Sequence, residues 1–553
     1  MATREAMEIM ARWENQKTVR QNYENAWEEI IRLFMPFRDD ITTVRAKGDR
    51  RIRGVFDTTG VMAADKFVNF IVGAIIPAQS EWLRLRIRGD YSEDLRIRKQ
   101  LDRVVSKTMW CLSDSNFYTQ AATFLRDFAI LGSAVMLTND RKDRAGRWQG
   151  LNFTAVPPGN VWWEIGQEGC PFIVFRQIEV PAIDAARHYG SSEYIANAAK
   201  RSPMEPICIL HCVYQNEDGL PGGISNQKVQ KEWISEHFVI PEGGPGNPIH
   251  LKTAGFDNNP YTVARWDTVD GESYGRGRGH LARPDARGIN ELKRQVLIAA
   301  GRDLNPPLMV EHKGMVKMDI LPDSVMVVKP PSKMAPNYLR SGTDYNVANQ
   351  IGVEDRRQIE RAFLVDMLGD PDTQPRSAAE TRARQARALQ SLGNVAQRVD
   401  KEFLRPLVSS IIEKMEKQKK VPELAEIRDL TGEEPSVVFQ SPFFTSQKAA
   451  SMQRVDAYIS RRLQLFATTQ DRIWLDDMDP DLITAYERRV ADVPAEIFPT
   501  EEKITAKRKK RDEEARLQRE LMLAQAAQGG RAQPQQDRAG APPRPAEEIE
   551  QVI

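Results

Sequence analysis

The chain has 553 residues, of which 41% are hydrophobic and 28% charged, and its formal net charge is +1. This length predicts several sub-domains with a sizeable buried interior. The near balance of charge excludes a protein that grips nucleic acid through a strongly basic face, because such binding scales with the number of phosphates neutralised.

The amino-terminal residues and the cysteines predict where the chain resides. The start, Met1 to Glu8, is charged and lacks the apolar run of a signal peptide. The apolar stretch from Phe67 to Pro77 is too short to span a bilayer and contains Asn69. Four cysteines do not make a disulfide framework. We therefore expect a soluble protein made in a reducing cytoplasm, with no membrane partner.

The first 131 residues carry mainly helical signals. Aromatic and aliphatic residues recur at helical spacing until Pro36, and a basic loop follows. Strict alternation over 82–88 predicts a half-buried strand. The predicted elements are helices over 1–35 and about 61–76, the basic loop 41–54, a strand at 82–88, and two helices in 93–131 broken near Asn116.

The period changes to that of strands between residues 132 and 270. Turn clusters such as Glu217-Asp218-Gly219 separate the strand-like runs. Strands joined in this way, beside separate helices, predict an α+β body and not an alternating βαβ array. The predicted strands are 134–138, 172–180, 207–214, 232–240 and 261–266.

Helices return after residue 284. Pro406 is expected to kink the longest of them, and the composition from Gly529 predicts a disordered tail. The predicted order is a helix over 284–300 opened by Pro284, an irregular insert with a β-like segment at 324–329, a helix over 353–368, a turn at 369–376, a long helix over 377–418, a loop at 419–446, a helix over 447–468, and shorter helices near 480–490 and 500–526.

Two short motifs invite catalytic or metal chemistry, and both have simpler explanations. Gly275-Arg276-Gly277-Arg278-Gly279 lacks the spacing of a phosphate-binding loop, and we expect a flexible turn that leads into the next helix. Cys208, His211 and Cys212 lie in a strand-like segment, where alternation places the cysteines on one face and the histidine on the other. Without a second ligand cluster, buried structural cysteines are the better interpretation.

Three further features could serve as catalytic or nucleic-acid-binding sites. The acids Asp366, Asp370 and Asp372 would suit a two-metal nuclease, but nothing in the sequence fixes them in space. Trp162-Trp163 favours a core or subunit contact over base stacking. The basic run 507–511 is followed by three acids and favours a solvated helix face. No Walker A loop is present, which excludes a packaging ATPase of that type.

The order of several weak motifs nevertheless resembles one family, the head-to-tail connector (portal) proteins of short-tailed phages. The resemblance covers about residues 10–520. Its markers are Asp57-Thr58-Thr59-Gly60, Pro77 with Trp82-Leu83, the 271–277 segment, the Asn290-containing helix, Asn305-Pro306-Pro307, Ala379-Glu380-Thr381-Arg382, and the helix carrying 402–407.

The resemblance implies a ring, typically of twelve subunits, with named regions. By position these are a wing (1–283), two stem helices (284–300 and 351–368) around a clip (301–350), a tunnel loop (369–377), a long wing or crown helix with its return segment (378–446), a helical crown (447–528) and a disordered tail (529–553). Such a ring is a virion component at the capsid vertex, assembled in the host cytoplasm, and has no catalytic role and no cofactor.

The resemblance also implies partners and site residues. The partners are duplex DNA, a terminase ATPase, major capsid and scaffolding proteins, and a tail adaptor. A lining of mixed charge would centre DNA without trapping it, and Arg376 is hypothesised to touch phosphates transiently. The residues expected to face DNA are Glu354, Arg357, Arg361, Asp370, Asp372 and Arg376, and those expected to dock the terminase or tail are Lys313, Lys317, Asp323 and Lys329.

Two alternatives stay open on the sequence. One is a metal-dependent nuclease that uses the acids of 366–372, and the other is a different virion component such as a tail adaptor.

Overall fold

A computed structural model gives the fold of the chain as two compact units, residues 1–490 and residues 491–553. The residues that the structure describes are 4–43, 48–49, 51–52, 54–87, 94–166, 169–190, 192–217, 226, 229–241, 248–305, 308–311, 325–328, 337–338, 344–368, 378–471, 483 and 501–529.

The amino-terminal helices follow the predicted pattern closely. Asp57 receives a hydrogen bond from the backbone N–H of Thr59, and Asp94 receives one from that of Arg96, so both helices that follow begin on an acidic side chain. The elements are α1 (Arg4–Phe34), α2 (Thr59–Ile75), β1 (Leu83–Arg86), α3 (Leu95–Ser113) and α4 (Phe117–Ile130).

The body after α4 is built on two antiparallel sheets, which confirms the α+β class. One has the strand order β3-β2-β9 and the other β4-β5-β6-β7-β8. The sequence pattern did not predict five elements of this body, namely helices α5 and α6 and strands β3, β4 and β8. The elements are β2 (Ser133–Lys142), β3 (Trp148–Val156), β4 (Val161–Ile165), β5 (Pro171–Pro181), α5 (Ala182–Tyr189), α6 (Glu193–Arg201), β6 (Pro206–Gln215), β7 (Trp233–Val239), β8 (Ile249–Phe256) and β9 (Tyr261–Arg265).

Both faces of the five-stranded sheet are covered by helices. The first turns of α1 place Trp13 against Trp162, whose ring centroids lie 5.7 Å apart. On the opposite face, α5 and α6 pack on Ile207 and Ile209. Cys212 lies on the α1 side, whereas His211 turns to the other side. The predicted alternation of the cysteine-containing strand is therefore confirmed, and Trp162 belongs to the core.

Two histidines stack inside this sheet. The rings of His211 and His237 are 4.2 Å apart and nearly parallel. His211 shares hydrogen bonds with the hydroxyls of Tyr261 (2.7 Å) and Ser235 (2.9 Å). Burial lowers the pKa of His237 to about 4, helped by Lys252 and His250, and burial beside His237 and Arg176 places the pKa of His211 well below its usual value. Both imidazoles are therefore neutral in the fold.

The histidine pair predicts acid sensitivity of the sheet. Because the folded pKa is depressed, the stabilisation is complete above pH 6.5 and is lost as the pH falls toward 4. For His237 alone we expect a loss on the order of 2 kcal/mol between pH 7 and pH 4. Urea unfolding of the wild type and of His237→Gln across this range measures it. The variant should have the shallower pH dependence, and parallel curves would contradict the assignment.

A helical hairpin leaves the body after β9. The long helix α7 runs from Arg278 to Leu304, so it begins six residues before Pro284, which lies inside it and does not open it. The returning helix α8 begins at Tyr345, within the range assigned to the clip, and breaks at Leu364, whose φ is +56°. The elements are β10 (Leu308–Glu311), β11 (Val325–Val328), β12 (Asn337–Tyr338), α8 (Tyr345–Ala362) and α9 (Val365–Leu368).

The glycine-rich turn before α7 is closely packed, which corrects the prediction of a flexible turn. Gly132, at φ +88°, follows the end of α4 and lies against this turn: a Cβ on Gly132 would stand 2.2 Å from the backbone nitrogen of Gly277. A Cβ on Gly277 would in turn meet the carbonyl oxygen of Ile130 at 2.6 Å. Two backbone segments touch here because neither carries a side chain.

The region after α9 is more broken than predicted. The expected single helix over 377–418 is interrupted near Leu392 and by a π-helix at Val399–Leu404, and Pro406 lies in the first turn of the next helix, where proline is tolerated. The expected loop 419–446 contains a helix and a strand that pairs with β1. The elements are α10 (Ala378–Ser391), α11 (Gly393–Arg398), α12 (Arg405–Lys417), α13 (Glu423–Thr431), β13 (Ser436–Phe439) and α14 (Pro442–Thr469).

An ion pair joins the π-helix to the β-body. Arg265 of β9 donates to both carboxylate oxygens of Glu402, at 3.3 and 3.0 Å, and the Arg265 backbone N–H donates to the same carboxylate. A guanidinium that binds both oxygens of one carboxylate is held in a fixed orientation. The Glu402 marker of the family resemblance therefore has a structural role.

In the second unit the structure describes one helix, α15 (Glu501–Gly529). The basic run 507–511 lies within it and is exposed, as the sequence predicted. None of the helices in the described part of the chain combines the length and the apolar character needed to cross a membrane.

Candidate functional site

The hairpin of α7 and α8 is the part of the body that projects from its core. Near its base the two helices approach closely at Gly352, where a Cβ would stand 3.1 Å from Ile289. The side chains of Ala282, Ala286 and Ile289 are buried in the main core. Farther out, the side chains become exposed, so the hairpin is held only at its base.

The base is tied to the segment before α2. The side-chain oxygen of Asn290 in α7 accepts a hydrogen bond of 2.7 Å from the backbone N–H of Phe56, and its amide donates to the carbonyl of Gly54 at 3.0 Å. Arg356 in α8 donates two hydrogen bonds, of 3.1 and 2.9 Å, to one carboxylate oxygen of Asp57. One short segment thus bonds to both helices of the hairpin.

Asp57 is held in its charged form at this base. Burial alone would raise its pKa, but hydrogen bonds from Thr59 and Arg356 outweigh that effect and lower the pKa below its usual value. Because the folded pKa is depressed, this stabilisation is present above pH 4 and is lost only at lower pH. The family markers Asp57 and Asn290 therefore meet in space, although 233 residues separate them.

Removing the Asn290 side chain tests this anchor. We expect Asn290→Ala to lower the free energy of unfolding by about 0.5–1.5 kcal/mol, because the Phe56 amide loses its acceptor and the Gly54 carbonyl loses its donor. Hydrogen exchange of that amide should accelerate in the same variant. Gln358→Ala, which removes an exposed hydrogen bond to Glu354 on α8, is the matched control and should change neither quantity. Unchanged exchange at Phe56 would contradict the anchor.

The charged residues predicted to face DNA are only partly described. Glu354, Arg357 and Arg361 lie on the exposed side of α8, and Arg361 approaches Glu354 at 4.0 Å. Arg356, which neighbours Arg357 on α8, does not join this set and binds Asp57. Burial, together with the charges of Asp285 and Glu354, raises the pKa of Asp355.

The remaining predicted site residues lie outside the described residues. These are Asp370, Asp372 and Arg376 of the turn, and Lys313, Lys317, Asp323 and Lys329 of the insert. Of the acids considered for a nuclease, the structure describes Asp366 alone, as an exposed residue. Across the described residues, His, Cys, Asp and Glu side chains form no group of three that would hold a metal ion.

Each helix of the hairpin carries an exposed row of apolar side chains, here called a stripe, and the two stripes differ in composition. The sequence did not predict either stripe. On α7, Leu297 and Leu304 are 50% and 80% exposed, and on α8, Val347 and Ile351 are 51% and 50% exposed. At about 100° per residue, Leu297 is turned about 140° from Leu292, which faces α8. By the same geometry, Val347 is turned about 140° from Gly352, which faces α7. Each stripe therefore points away from the partner helix.

Comparison with known proteins agrees with the resemblance seen in the sequence. The family model described as bacteriophage head to tail connecting protein matches residues 6–498. The chain is 21% identical over 541 residues to a probable portal protein of Bordetella phage BPP-1, covering 94% of this chain and 93% of that protein. It is also 21% identical over 550 residues to the portal protein of Salmonella phage epsilon15, covering 96% and 95%.

Solved structures give a much weaker likeness. One is the virion of a native gene transfer agent particle, matched at 9% identity and a TM-score of 0.31 over 82% of this chain and 96% of that chain. Another, the neck of an empty gene transfer agent particle, gives 10% identity and a TM-score of 0.32 over the same shares. The family match, by contrast, spans most of the sequence and includes Asp57, Asn290 and Glu402, so the chain belongs to the bacteriophage head-to-tail connecting protein family.

Proposed function

We propose that this protein is a portal: a closed ring at one vertex of a phage capsid, through which duplex DNA enters and leaves. The observation that carries the proposal is the pair of unlike apolar stripes on the outer edges of the hairpin. A closed ring needs two different patches on each subunit, one for each neighbour. The Leu297–Leu304 stripe of one subunit meets the Val347–Ile351 stripe of the next, and both are buried.

Membership of the connector family supports a structural and not a catalytic role, at the junction of head and tail. Twelve subunits, a terminase, capsid and scaffolding proteins and a tail adaptor are the partners that this role implies, with assembly in the host cytoplasm. In this arrangement the hairpins surround the channel, and Glu354, Arg357 and Arg361 provide a lining of mixed charge. Such a lining guides DNA, since many cations without acids would give a strong salt-dependent grip.

Microscopy of the purified protein tests the ring directly. Negative-stain images should show rings with a central opening wide enough for duplex DNA, and native mass spectrometry should give the subunit number. A monomer at micromolar concentration would overturn the proposal. Metal-dependent cleavage of plasmid DNA by the same preparation would instead favour the nuclease.

The turn after α9 gives a second, narrower test. We propose that Arg376 touches DNA phosphates transiently as the genome moves. Arg376→Ala should leave ring formation unchanged and reduce packaging or retention of DNA, measured as nuclease-protected genome per particle. Arg387→Ala, which removes an exposed cation from α10, is the control. Full packaging and retention with Arg376→Ala would remove this role.

A further inference from the structure

A cationic cleft opens between the start of α7 and the helix α11 with the π-helix after it. Its volume is about 810 Å³. Four cationic side chains line it, namely Arg276, Arg278, Arg398 and Lys401, together with two acids, Asp267 and Glu402. Glu402 is already bound by Arg265, so the surplus charge of the cleft is positive. π-helices recur at functional sites, and here one forms part of the wall.

The wall holds buried nitrogen atoms that the rest of the described chain does not satisfy. Arg278 gives one hydrogen bond, to the carbonyl of Ala362 at 3.3 Å, while its buried Nε has no partner among the described residues. The Nδ1 atom of His280 is buried and without a partner there too. Buried polar groups are nearly always hydrogen-bonded, so unpaired ones at an open cleft indicate a missing partner, which for the Arg278 Nε–H is an acceptor.

Lys401 and Arg398 are available to a ligand, whereas Arg276 is held by Glu272 at 2.7 Å. Lys401 is exposed and forms no ion pair with the described residues. Arg398 donates to the hydroxyl of Thr268, a neutral partner, at 2.7 Å. Apolar side chains share the wall, including Leu281, which is 61% exposed, and Val395. The complementary ligand therefore carries several carboxylates and apolar side chains together. A duplex, whose phosphates lie on the outside of a stiff rod, does not match the apolar part of the wall or reach the buried Nε of Arg278.

One segment of this chain has that composition. Residues 473–483 read Ile-Trp-Leu-Asp-Asp-Met-Asp-Pro-Asp-Leu-Ile, with four aspartates, six apolar side chains besides the proline, and no cation. They follow α14, whose first turn is anchored by the buried Phe443. From there the 28-residue helix extends about 42 Å, and its side chains from Val455 onward are exposed or half-exposed. The described end of α14 thus lies far from its anchor at Phe443.

We propose that the cleft of one subunit binds the 473–483 segment of the neighbouring copy. The inference rests on the proposed ring, because only a closed ring gives every cleft a neighbour. The aspartates meet Lys401 and Arg398 at the mouth, one carboxylate supplies the acceptor for Arg278, and the apolar residues cover Leu281 and Val395. Each subunit is thereby linked to the next by a contact separate from the stripes of the hairpin.

Zero-length carbodiimide cross-linking of the full-length protein tests this contact. Rings are assembled from an equal mixture of ¹⁴N- and ¹⁵N-labelled chains, treated, and digested for mass spectrometry. Lys401 should be joined to an aspartate of 473–483, and half of the linked pairs should combine one light and one heavy peptide. Lys200, an exposed lysine on α6, is the internal control and should not link to this segment. Lys401→Arg keeps the charge and should abolish the link.

A charge exchange provides the second arm. Lys401→Glu should abolish the mixed-isotope link, because the cleft lining then has no lysine, and Asp477→Lys should weaken it. The double variant should restore a link between the exchanged side chains. Links between peptides of one isotope only, or links from Lys401 to other segments, would overturn the inference. So would loss of the Lys401 link on adding a 30-base-pair duplex, which would assign the cleft to DNA. Rings without the link would overturn this contact and leave the portal, whereas a monomer would overturn both.

Discussion

Replacing Gly132 by alanine is expected to destabilise the protein by about 3 kcal/mol or more, which is among the largest effects of a single substitution. The new Cβ would meet the backbone nitrogen of Gly277 at 2.2 Å, and a backbone atom cannot move aside as a flexible side chain does. The positive φ of Gly132 adds strain. Urea unfolding measures the loss, and α7 should separate from the end of α4 first.

Two other glycines separate the causes of this loss. Gly271 has a similar φ of +77° but open space around it, so Gly271→Ala should cost only the backbone strain, about 1–2 kcal/mol. Gly73 lies inside α2 with nothing near its Cβ position, and Gly73→Ala should raise stability by up to about 1 kcal/mol. If Gly132→Ala cost no more than Gly271→Ala, the close approach of the two backbones would be wrong.

Placing two carboxylates on one stripe of the hairpin is expected to abolish the ring. In Val347→Asp/Ile351→Asp, each junction loses two apolar side chains, worth about 1.5–3 kcal/mol apiece when buried. It also buries two charges without a partner, which costs several kcal/mol more. Both side chains are about half exposed in the single chain, so its own unfolding should hardly change. Native mass spectrometry should show folded monomers in place of rings.

The matched control adds the same charge at the same spacing on the same helix. Asn346 and Gln350 are exposed and lie on a different side of α8 from Ile351. Asn346→Asp/Gln350→Asp should therefore still assemble. Rings from the Val347/Ile351 variant, or loss of rings from the control as well, would show that the stripe is not the subunit contact.

The sequence predicted the elements with a strong apolar pattern. Helices α1 to α4 and the strands β2, β5, β6, β7 and β9 fall close to their predicted ranges because their apolar side chains are buried, in β6 and β9 on both faces. The strands β3, β4 and β8 were missed. In β8 every side chain is half-buried or exposed, so the apolar alternation is weak.

The sequence did not predict the contacts between residues that are far apart in the chain. Arg356 looked like one more charge on a helix of mixed charge, and only the fold brings Asp57 within hydrogen-bond distance. The glycine-rich turn looked flexible because its partner, Gly132, is 145 residues away. Likewise, the cationic cleft joins residues near 278 to residues near 398, a pairing that no local pattern contains. Family membership was predicted correctly because it rests on the order of several motifs at once.

The bond between Asp57 and Arg356 also bears on how a subunit is made. Its partners are 299 residues apart in the chain, and a ribosome adds about 5–20 residues each second. The segment that holds the hairpin must therefore wait about 15–60 s after its own synthesis for the second helix to emerge. Until then the amino-terminal helices have no hairpin to anchor. A nascent chain that has not yet exposed Arg356 therefore cannot present both stripes in their final positions.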